Sequence, residues 1–260
     1  MPRPRLRRMS FDVAAEAYDR FMGRYSAPLA EVFADFAELP DGGRALDVGC
    51  GTGALTTVLA RRYGESEVAA VDPSASFVAA VAKRLPWADV RHGHAEDLPY
   101  DDHIFTATLA ELVVHFMADP AAGLREMRRV TRPGGVIAAC VWDFEGARAP
   151  QSRFFAALRE VTGSADDERD RPGAGRGQLA ALFEAVGCTG VTEGEVSVTQ
   201  SFDDFDDWWE PYTLGVGPAG RQVAALDGVE RERVRAAART LFPSGPFTLP
   251  VTAWAARGIA

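Results

Sequence analysis

Strand-like and helix-like patterns alternate through the middle of the chain. The apolar run 44–49 is typical of a buried strand, and the amphipathic run 53–64 is typical of a helix that ends at a glycine. The alternation predicts further strands at 67–72, 88–93, 104–111, 136–143, 190–202 and 247–259. Strands separated by helical runs of about 10 to 15 residues predict a parallel sheet with right-handed crossovers.

The flanking segments carry other patterns. We expect a disordered Arg-rich leader over 1–9, a helical segment over 10–40 that breaks at 22–28, and a cap insertion over 201–245 with a helix at 221–241. The polar, glycine-rich stretch 164–177 predicts a mobile loop. The fold class is therefore α/β: a Rossmann-like, seven-stranded, mostly parallel sheet with helices on both faces, its core over 41–200 and its last strand within 246–260.

The composition of the chain limits which kinds of molecule we expect it to bind. Lys and Arg number 28 against 37 Asp and Glu, so the net charge of −9 disfavours nucleic acid and anionic membranes. The sequence contains no apolar run of the length that a membrane span needs. Three separated cysteines favour neither a disulfide framework nor a metal site, and they indicate a reducing cytoplasm. We expect a small-molecule substrate; monomer and homodimer both stay open.

The loop "ALDVGCGTGAL" after the first strand offers two interpretations. Gly49, Gly51 and Ala54 satisfy a dinucleotide pattern, and Asp72 ends the next strand, where it would bind ribose hydroxyls. Asp47, two residues before the first glycine, would repel a pyrophosphate by about 4 kcal/mol at roughly 4 Å. The same carboxylate would attract an ammonium group. A ligand with a ribose, an ammonium and no phosphate is S-adenosylmethionine.

Five segments in order carry a family resemblance. "ALDVGCGTG" resembles motif I of the class I S-adenosylmethionine-dependent methyltransferases of the bacterial small-molecule type. "AVDPS", "HGHAEDLPY", "LVVHF" and "RVTRPGGVI" follow at that family's approximate spacing, and the resemblance covers residues 11–142. It implies methyl transfer to an oxygen, nitrogen or carbon atom of a small acceptor, with S-adenosylhomocysteine as the product.

The resemblance also implies roles for individual residues. Asp47 would bind the methionine ammonium and Asp72 both ribose hydroxyls, while Ala95 and Glu96 would lie against the adenine. Ala110 would pass beside the sulfonium. The remaining cofactor contacts that it implies are Gly49, Cys50, Gly51 and Gly53 in the loop, Pro73 near the ribose, and Tyr18, Arg24 and Tyr25 closing over the methionine end.

Two side chains near the expected methyl position are candidates for catalysis. Glu111 would act as a base or orient a cationic substrate, and His115 would act as a general base or simply pack in the core. Trp142, Trp208 and Trp209 would line a substrate pocket or pack the interior. The acidic run at 203–207 would form a solvated face or a lid over a cationic substrate.

Two other function classes compete with methyl transfer. The chain would be a cofactor-binding protein of the same fold without methyl transfer, either cyclase-like or regulatory. It would otherwise be a nicotinamide-dependent oxidoreductase, which Asp47 disfavours because of its charge.

Overall fold

A central sheet organises the protein, whose computed structural model describes residues 15–260. The expected leader at 1–9 and the start of the N-terminal helical pattern lie outside the described residues. Within them, seven strands form one sheet in the order β3-β2-β1-β4-β5-β7-β6. The strands are β1 (Ala45–Val48), β2 (Val68–Asp72), β3 (Asp89–His92), β4 (Phe105–Glu111), β5 (Thr131–Trp142), β6 (Thr189–Phe202) and β7 (Phe247–Ile259). The predicted α/β class is confirmed.

The sheet is parallel over its first five strands and antiparallel around β7. Strands β1 to β5 pair in parallel, and β7 runs antiparallel to both β5 and β6. All four residues of β1 are buried, as expected for a parallel strand covered on both faces. The chain passes from β1 outward to β3 and then returns to β4 on the other side of β1. That reversal opens a crevice at the carboxyl ends of β1 and β4, where open α/β sheets bind ligands.

Helices cover the two faces of the sheet and the carboxyl edge. Their starts carry recognisable caps: the Ser74 side chain accepts from Phe77 N, and Asp119 accepts from Ala122 N just before Pro120. The helices are α1 (Ala15–Tyr18), α2 (Arg24–Phe36), α3 (Ala54–Tyr63), α4 (Ala75–Arg84), α5 (Pro120–Val130), α6 (Ser152–Thr162), α7 (Gln178–Ala185), α8 (Phe205–Trp209), α9 (Gly217–Ala225) and α10 (Gly228–Arg239). No helix in this part of the chain is long and apolar enough to cross a bilayer.

The predicted break at residues 22–28 is wrong. A π-helical turn (Asp19–Gly23) joins α1 to α2 without leaving the helical region, and Pro28 lies inside α2. Glycine in a helix costs about 1 kcal/mol relative to alanine. Full burial of Leu29 and Phe33 on the inner face of α2 offsets that cost, so packing overrides the local signal.

The predicted helix at 221–241 is two helices. Asp227 lies between α9 and α10. Its side chain accepts from Glu230 N at 2.8 Å, while the Glu230 side chain accepts from Asp227 N at 3.4 Å. This reciprocal capping box starts α10. Strand β5 also begins earlier than predicted, at Thr131, and includes the Pro-Gly-Gly residues that the sequence indicates as a turn.

The stretch 164–177 is packed against the protein, contrary to the expectation of a mobile loop. Ala174 is fully buried and Glu168 almost so. Asp167 pairs with Arg159 of α6, and Gly173 N donates to Gln178 Oε1 of α7. We call this segment the 164–177 loop.

Removing the capping box tests the α9–α10 boundary. Asp227→Ala should lower the free energy of unfolding by about 1 kcal/mol and Tm by about 2–4 °C, because one N-terminal amide of α10 loses its acceptor. Thermal unfolding followed by circular dichroism measures the shift. Glu232→Ala, at an exposed position of the same helix, should change Tm by much less. Equal losses in the two variants would contradict the assignment.

Candidate cofactor and acceptor site

The loop between β1 and α3 depends on its glycines. Gly49, Gly51 and Gly53 have φ values of +74°, +51° and +84°, a region that L-residues with side chains rarely adopt. A Cβ atom added to Gly49 would lie 2.4 Å from Val113 Cγ2. The loop therefore presents bare backbone at the carboxyl end of β1.

Asp72 joins this loop to the end of β2. Its Oδ2 accepts from Gly51 N at 2.9 Å and its Oδ1 accepts from Ser74 N at 2.8 Å. Burial raises the pKa of the carboxyl, and the two amide donors partly oppose that rise. A carboxylate has about four acceptor positions, so each oxygen keeps one for a hydroxyl donor.

Asp47 lies beneath the same loop. Its side chain is 1% exposed, and Oδ2 accepts from Thr56 Oγ1 at 2.6 Å. Burial raises the pKa of this carboxyl to about 7, the Thr56 hydroxyl opposes the rise, and the charge of Asp72 adds to it. A cation beside Asp47 would favour its ionised form.

Glu111 adds a third acid to the crevice. It ends β4, two residues beyond Leu109, which is in register with Asp47. Its Oε1 is buried and has no hydrogen-bond partner among the described residues. Burial, and then the charge of Asp47, raise the pKa of Glu111 well above its usual value. Three neighbouring carboxyls suit a ligand that carries positive charge.

The N-terminal helices lie over the glycine loop. The Tyr18 ring packs edge-on against Phe77 at 5.1 Å, and its Cε1 lies 3.8 Å from the Cβ position of Gly51. Burial and the charges of Glu111 and Asp72 raise the pKa of its hydroxyl. Thr52 Oγ1 donates to Asp19 Oδ1 at 2.5 Å, which fastens this helical segment to the loop.

Arg24 and Tyr25 make their contacts with the cap. Arg24 Nη2 donates to Asp207 Oδ1 at 2.8 Å, and its guanidinium lies 4.7 Å from the ring centre of Phe202. The Tyr25 ring packs against Trp142 and Phe202. The role that the resemblance implies for Arg24 at the methionine end stays a prediction; in the structure its guanidinium pairs with Asp207.

Ala95 and Glu96, which are predicted to lie against an adenine, have different surroundings. Ala95 is buried, and Glu96 Oε1 accepts from Ala118 N at 2.7 Å and Asp119 N at 3.3 Å. The Glu96 carboxylate therefore holds the residues that precede α5, so this side chain already has hydrogen-bond partners within the protein. Pro73 is exposed beside Asp72, whereas Ala110 is fully buried within β4 and Cys50 is a buried free thiol.

An apolar pocket with a cavity volume of about 30 Å³ adjoins the crevice and is partly open to solvent. Leu112, which follows Glu111, contributes to the wall in a positive-φ conformation (+60°). The other residues that line the pocket are Tyr18, Phe21, Met22, His115, Phe116, Trp142, Phe144, Gln151, Glu168, Val216, Gly217 and Pro218.

His115 is a neutral imidazole in this wall. It is 3% exposed and its ring centre lies 3.8 Å from that of Phe116. Burial, with a smaller contribution from the charge of Arg171, lowers its pKa to about 3. Its Nδ1 has no hydrogen-bond partner in the described part of the chain. The structure thus places both candidate catalytic residues, Glu111 and His115, at the crevice and pocket.

Sequence reasoning missed Gln151 and Glu168, which line the same pocket. Glu168 lies in a run of charged residues that resembles a solvated loop, and no periodicity distinguishes it from its neighbours. Its left-handed backbone (φ +62°) also has no signature in the sequence. The place of Glu168 in the pocket wall is therefore seen only from how the 164–177 loop packs.

The aromatic and acidic residues of the cap build its interior and its attachments. Trp208 and Trp209 are buried and pack against Tyr212 and one another, which agrees with the packing alternative. Asp204 caps α8, and Asp206 pairs with Arg235. The acidic run therefore serves the fold as well as facing solvent.

Comparison with known proteins places the chain in a family. A family model described as "Methyltransferase domain" matches residues 46–139. An uncharacterised methyltransferase of Mycobacterium bovis is 37% identical over 164 residues, which is 63% of this chain and 63% of that protein's length. A demethylmenaquinone methyltransferase of Lysinibacillus sphaericus is 31% identical over 58% of this chain and 72% of its own length. The chain belongs to the class I S-adenosylmethionine-dependent methyltransferase family.

A solved structure agrees with the family fold. A geranyl diphosphate C-methyltransferase from Streptomyces coelicolor, in complex with S-adenosyl-L-homocysteine, superposes with a TM-score of 0.53 at 17% identity. The superposition covers 92% of this chain and 80% of that one. S-adenosylmethionine is the methyltransferase cofactor, and the buried acids and glycine cradle of this chain suit its two positive charges and its lack of phosphate.

The Asp72 carboxylate gives the first test of this methyltransferase site. Asp72→Asn should weaken S-adenosylhomocysteine binding by about tenfold to a hundredfold, because an amide cannot accept from two backbone amides and two hydroxyls at once. Isothermal titration calorimetry measures the affinity. Asp101→Asn, an exposed position after β3, is the matched control and should bind normally. Unchanged affinity in the Asp72 variant would mean that the ribose lies elsewhere.

Asp47 should lower the free energy of unfolding of the protein above neutral pH. Its folded-state pKa exceeds the unfolded value, so the folded protein holds that proton more tightly and the free energy of unfolding falls as pH rises from about 4 to 7. Asp47→Asn should therefore raise the free energy of unfolding at pH 8 by on the order of a few kcal/mol, and change it little at pH 4.

Urea unfolding of the ligand-free protein at both pH values measures this difference, and calorimetry should show weaker S-adenosylhomocysteine binding in the same Asp47 variant. Destabilisation of equal size at the two pH values would contradict the assigned titration.

Proposed function

We propose that this protein transfers the methyl group of S-adenosylmethionine to an oxygen, nitrogen or carbon atom of a small-molecule acceptor held in the apolar pocket. The observation that carries this proposal is the continuity of the two sites. Tyr18 lies over the glycine loop and also lines the pocket, and Leu112 joins the pocket to the strand that ends at Glu111.

The donor end is held by the chain's own carboxyls. When bound, S-adenosylmethionine would supply an electrophilic methyl group on a sulfonium, with a neutral thioether as the leaving group. Asp47 would bind the ammonium, and the free acceptor positions of Asp72 would bind the ribose hydroxyls. The glycine loop would admit the ligand close to its backbone.

The acceptor end supplies alignment and excludes water. The lining side chains are mostly aromatic or aliphatic, so an apolar acceptor would displace solvent from the line of attack. Burial raises the pKa of Glu111 and lowers that of His115 to about 3, so the imidazole is a weak base. We therefore assign most of the proposed catalysis to positioning.

The comparisons support a small acceptor. The Lysinibacillus relative is named as a demethylmenaquinone methyltransferase, and the narrow pocket of this chain is lined mostly by aromatic and aliphatic side chains. The acidic net charge of the chain also disfavours nucleic acid as the acceptor.

Transfer of a labelled methyl group tests the function. The protein is incubated with methyl-labelled S-adenosylmethionine and a bacterial metabolite extract, and the products are separated by mass. We expect label in a small-molecule product with the wild type and strongly reduced label with Asp72→Asn, since that variant binds the donor poorly.

Label in a macromolecular fraction would overturn the small-molecule proposal. Binding of S-adenosylhomocysteine without label in any product would favour a cofactor-binding protein that does not transfer methyl groups. Binding of NAD with no affinity for S-adenosylhomocysteine would favour the oxidoreductase alternative.

A further inference from the structure

The apolar pocket contains an unusual concentration of unpartnered polar atoms. Four buried atoms in its wall have no hydrogen-bond partner among the described residues: His115 Nδ1, Trp142 Nε1, Gln151 Oε1 and Glu168 Oε1. Most buried polar groups in native proteins are paired, and each unpaired one costs about 1–3 kcal/mol. Several such atoms on one wall indicate hydrogen bonds that a ligand completes.

The unpartnered carboxyl is held by strained backbone. Glu168 is 4% exposed and its φ of +62° lies in the left-handed region, which is uncommon for a residue other than glycine. Leu112, on the same wall, has a φ of +60°. Strain of this kind persists where surrounding packing imposes it, and it is concentrated at ligand sites.

The charges around Glu168 favour one class of ligand. Burial raises the pKa of its carboxyl to about 7; the nearby Arg171 and Arg221 oppose the rise, and Asp166 and Asp167 reinforce it. No Lys or Arg belongs to the pocket wall as the structure describes it. Arg171 and Arg221 are not part of that wall, so an anionic acceptor would contact the Glu168 carboxyl without contacting a cation, whereas a hydroxyl or amino group would find an acceptor oxygen.

We propose that Glu168 determines acceptor specificity: with Gln151, it selects an apolar molecule that carries a hydroxyl or amino donor and no anionic group. The inference rests on the proposed function, because it takes the apolar pocket as the acceptor site. Glu168 accepts the donor's hydrogen bond, Gln151 Oε1 offers a second acceptor, and the aromatic wall holds the apolar body. Gln151 is oriented for this by its Nε2, which lies 3.4 Å from Met22 Sδ.

Three matched probes test the selection. Wild-type protein saturated with S-adenosylhomocysteine is titrated at pH 7 with 2-naphthol, with 2-methoxynaphthalene, which lacks the donor, and with 2-naphthoate, which is anionic. We expect 2-naphthol to bind about tenfold or more tightly than either of the others. In Glu168→Gln, 2-naphthoate should lose most of its disadvantage, while Glu160→Gln, at an exposed position of α6, should keep the wild-type ratios.

Equal affinity for the three probes, tighter binding of 2-naphthoate, binding of none of them, or unchanged ratios in Glu168→Gln would each overturn the proposal. Probe selection that depends on Glu168, together with no methyl transfer in the labelling experiment, would overturn the proposed reaction and leave the recognition role standing. Methyl transfer without that selection would overturn the recognition role alone.

Thermal unfolding separates a recognition residue from a structural one. The raised folded-state pKa of Glu168 makes the free energy of unfolding fall as pH rises from about 4.5 to 7. Glu168→Gln should therefore raise Tm at pH 8 by several degrees and leave it nearly unchanged at pH 4. A lower Tm at both pH values would identify a structural carboxyl and would contradict the proposal.

Discussion

The site depends on one carboxylate, that of Asp72, which holds two loops of the sheet edge together. Because its oxygens accept from Gly51 N and Ser74 N, the turn after β1 and the start of α4 keep a fixed separation. The glycine loop can then remain in left-handed conformations that side chains would prevent. Asp47 lies beneath this loop because β1 pairs with β2 and β4, and the Thr52–Asp19 hydrogen bond fastens the N-terminal helical segment above it.

Burying acids at this edge opposes stability and favours binding. Asp47 and Glu111 have pKa values raised mainly by burial, so ionising either one in the ligand-free protein is costly. A cationic ligand would make ionisation favourable, because each ionised carboxylate would then have a partner of opposite charge. The same residues thus lower the stability of the free protein and raise its affinity for a positively charged donor.

Much of the fold, and the grouping of the glycine loop with Asp47, could be predicted from the sequence because they follow local rules. The order of strands and helices comes from periodicity, and Asp47 and the glycines occupy adjacent positions in one turn. Tertiary packing decided the rest. The inner face of α2 kept the helix intact through Gly23, the partner of Arg24 lies 183 residues away at Asp207, and Glu168 enters the pocket from a charged loop. None of these contacts has a local pattern.

The wall of the apolar pocket combines strand ends with segments from outside the sheet. Leu112 follows β4 and Trp142 ends β5, whereas Met22, Glu168 and Val216 belong to three segments that lie outside the strands. Substitutions in those segments alter the shape and polarity of the wall and leave the strand ends untouched. On the proposed function, changes confined to these segments would therefore alter which acceptor fits without altering how the donor is held.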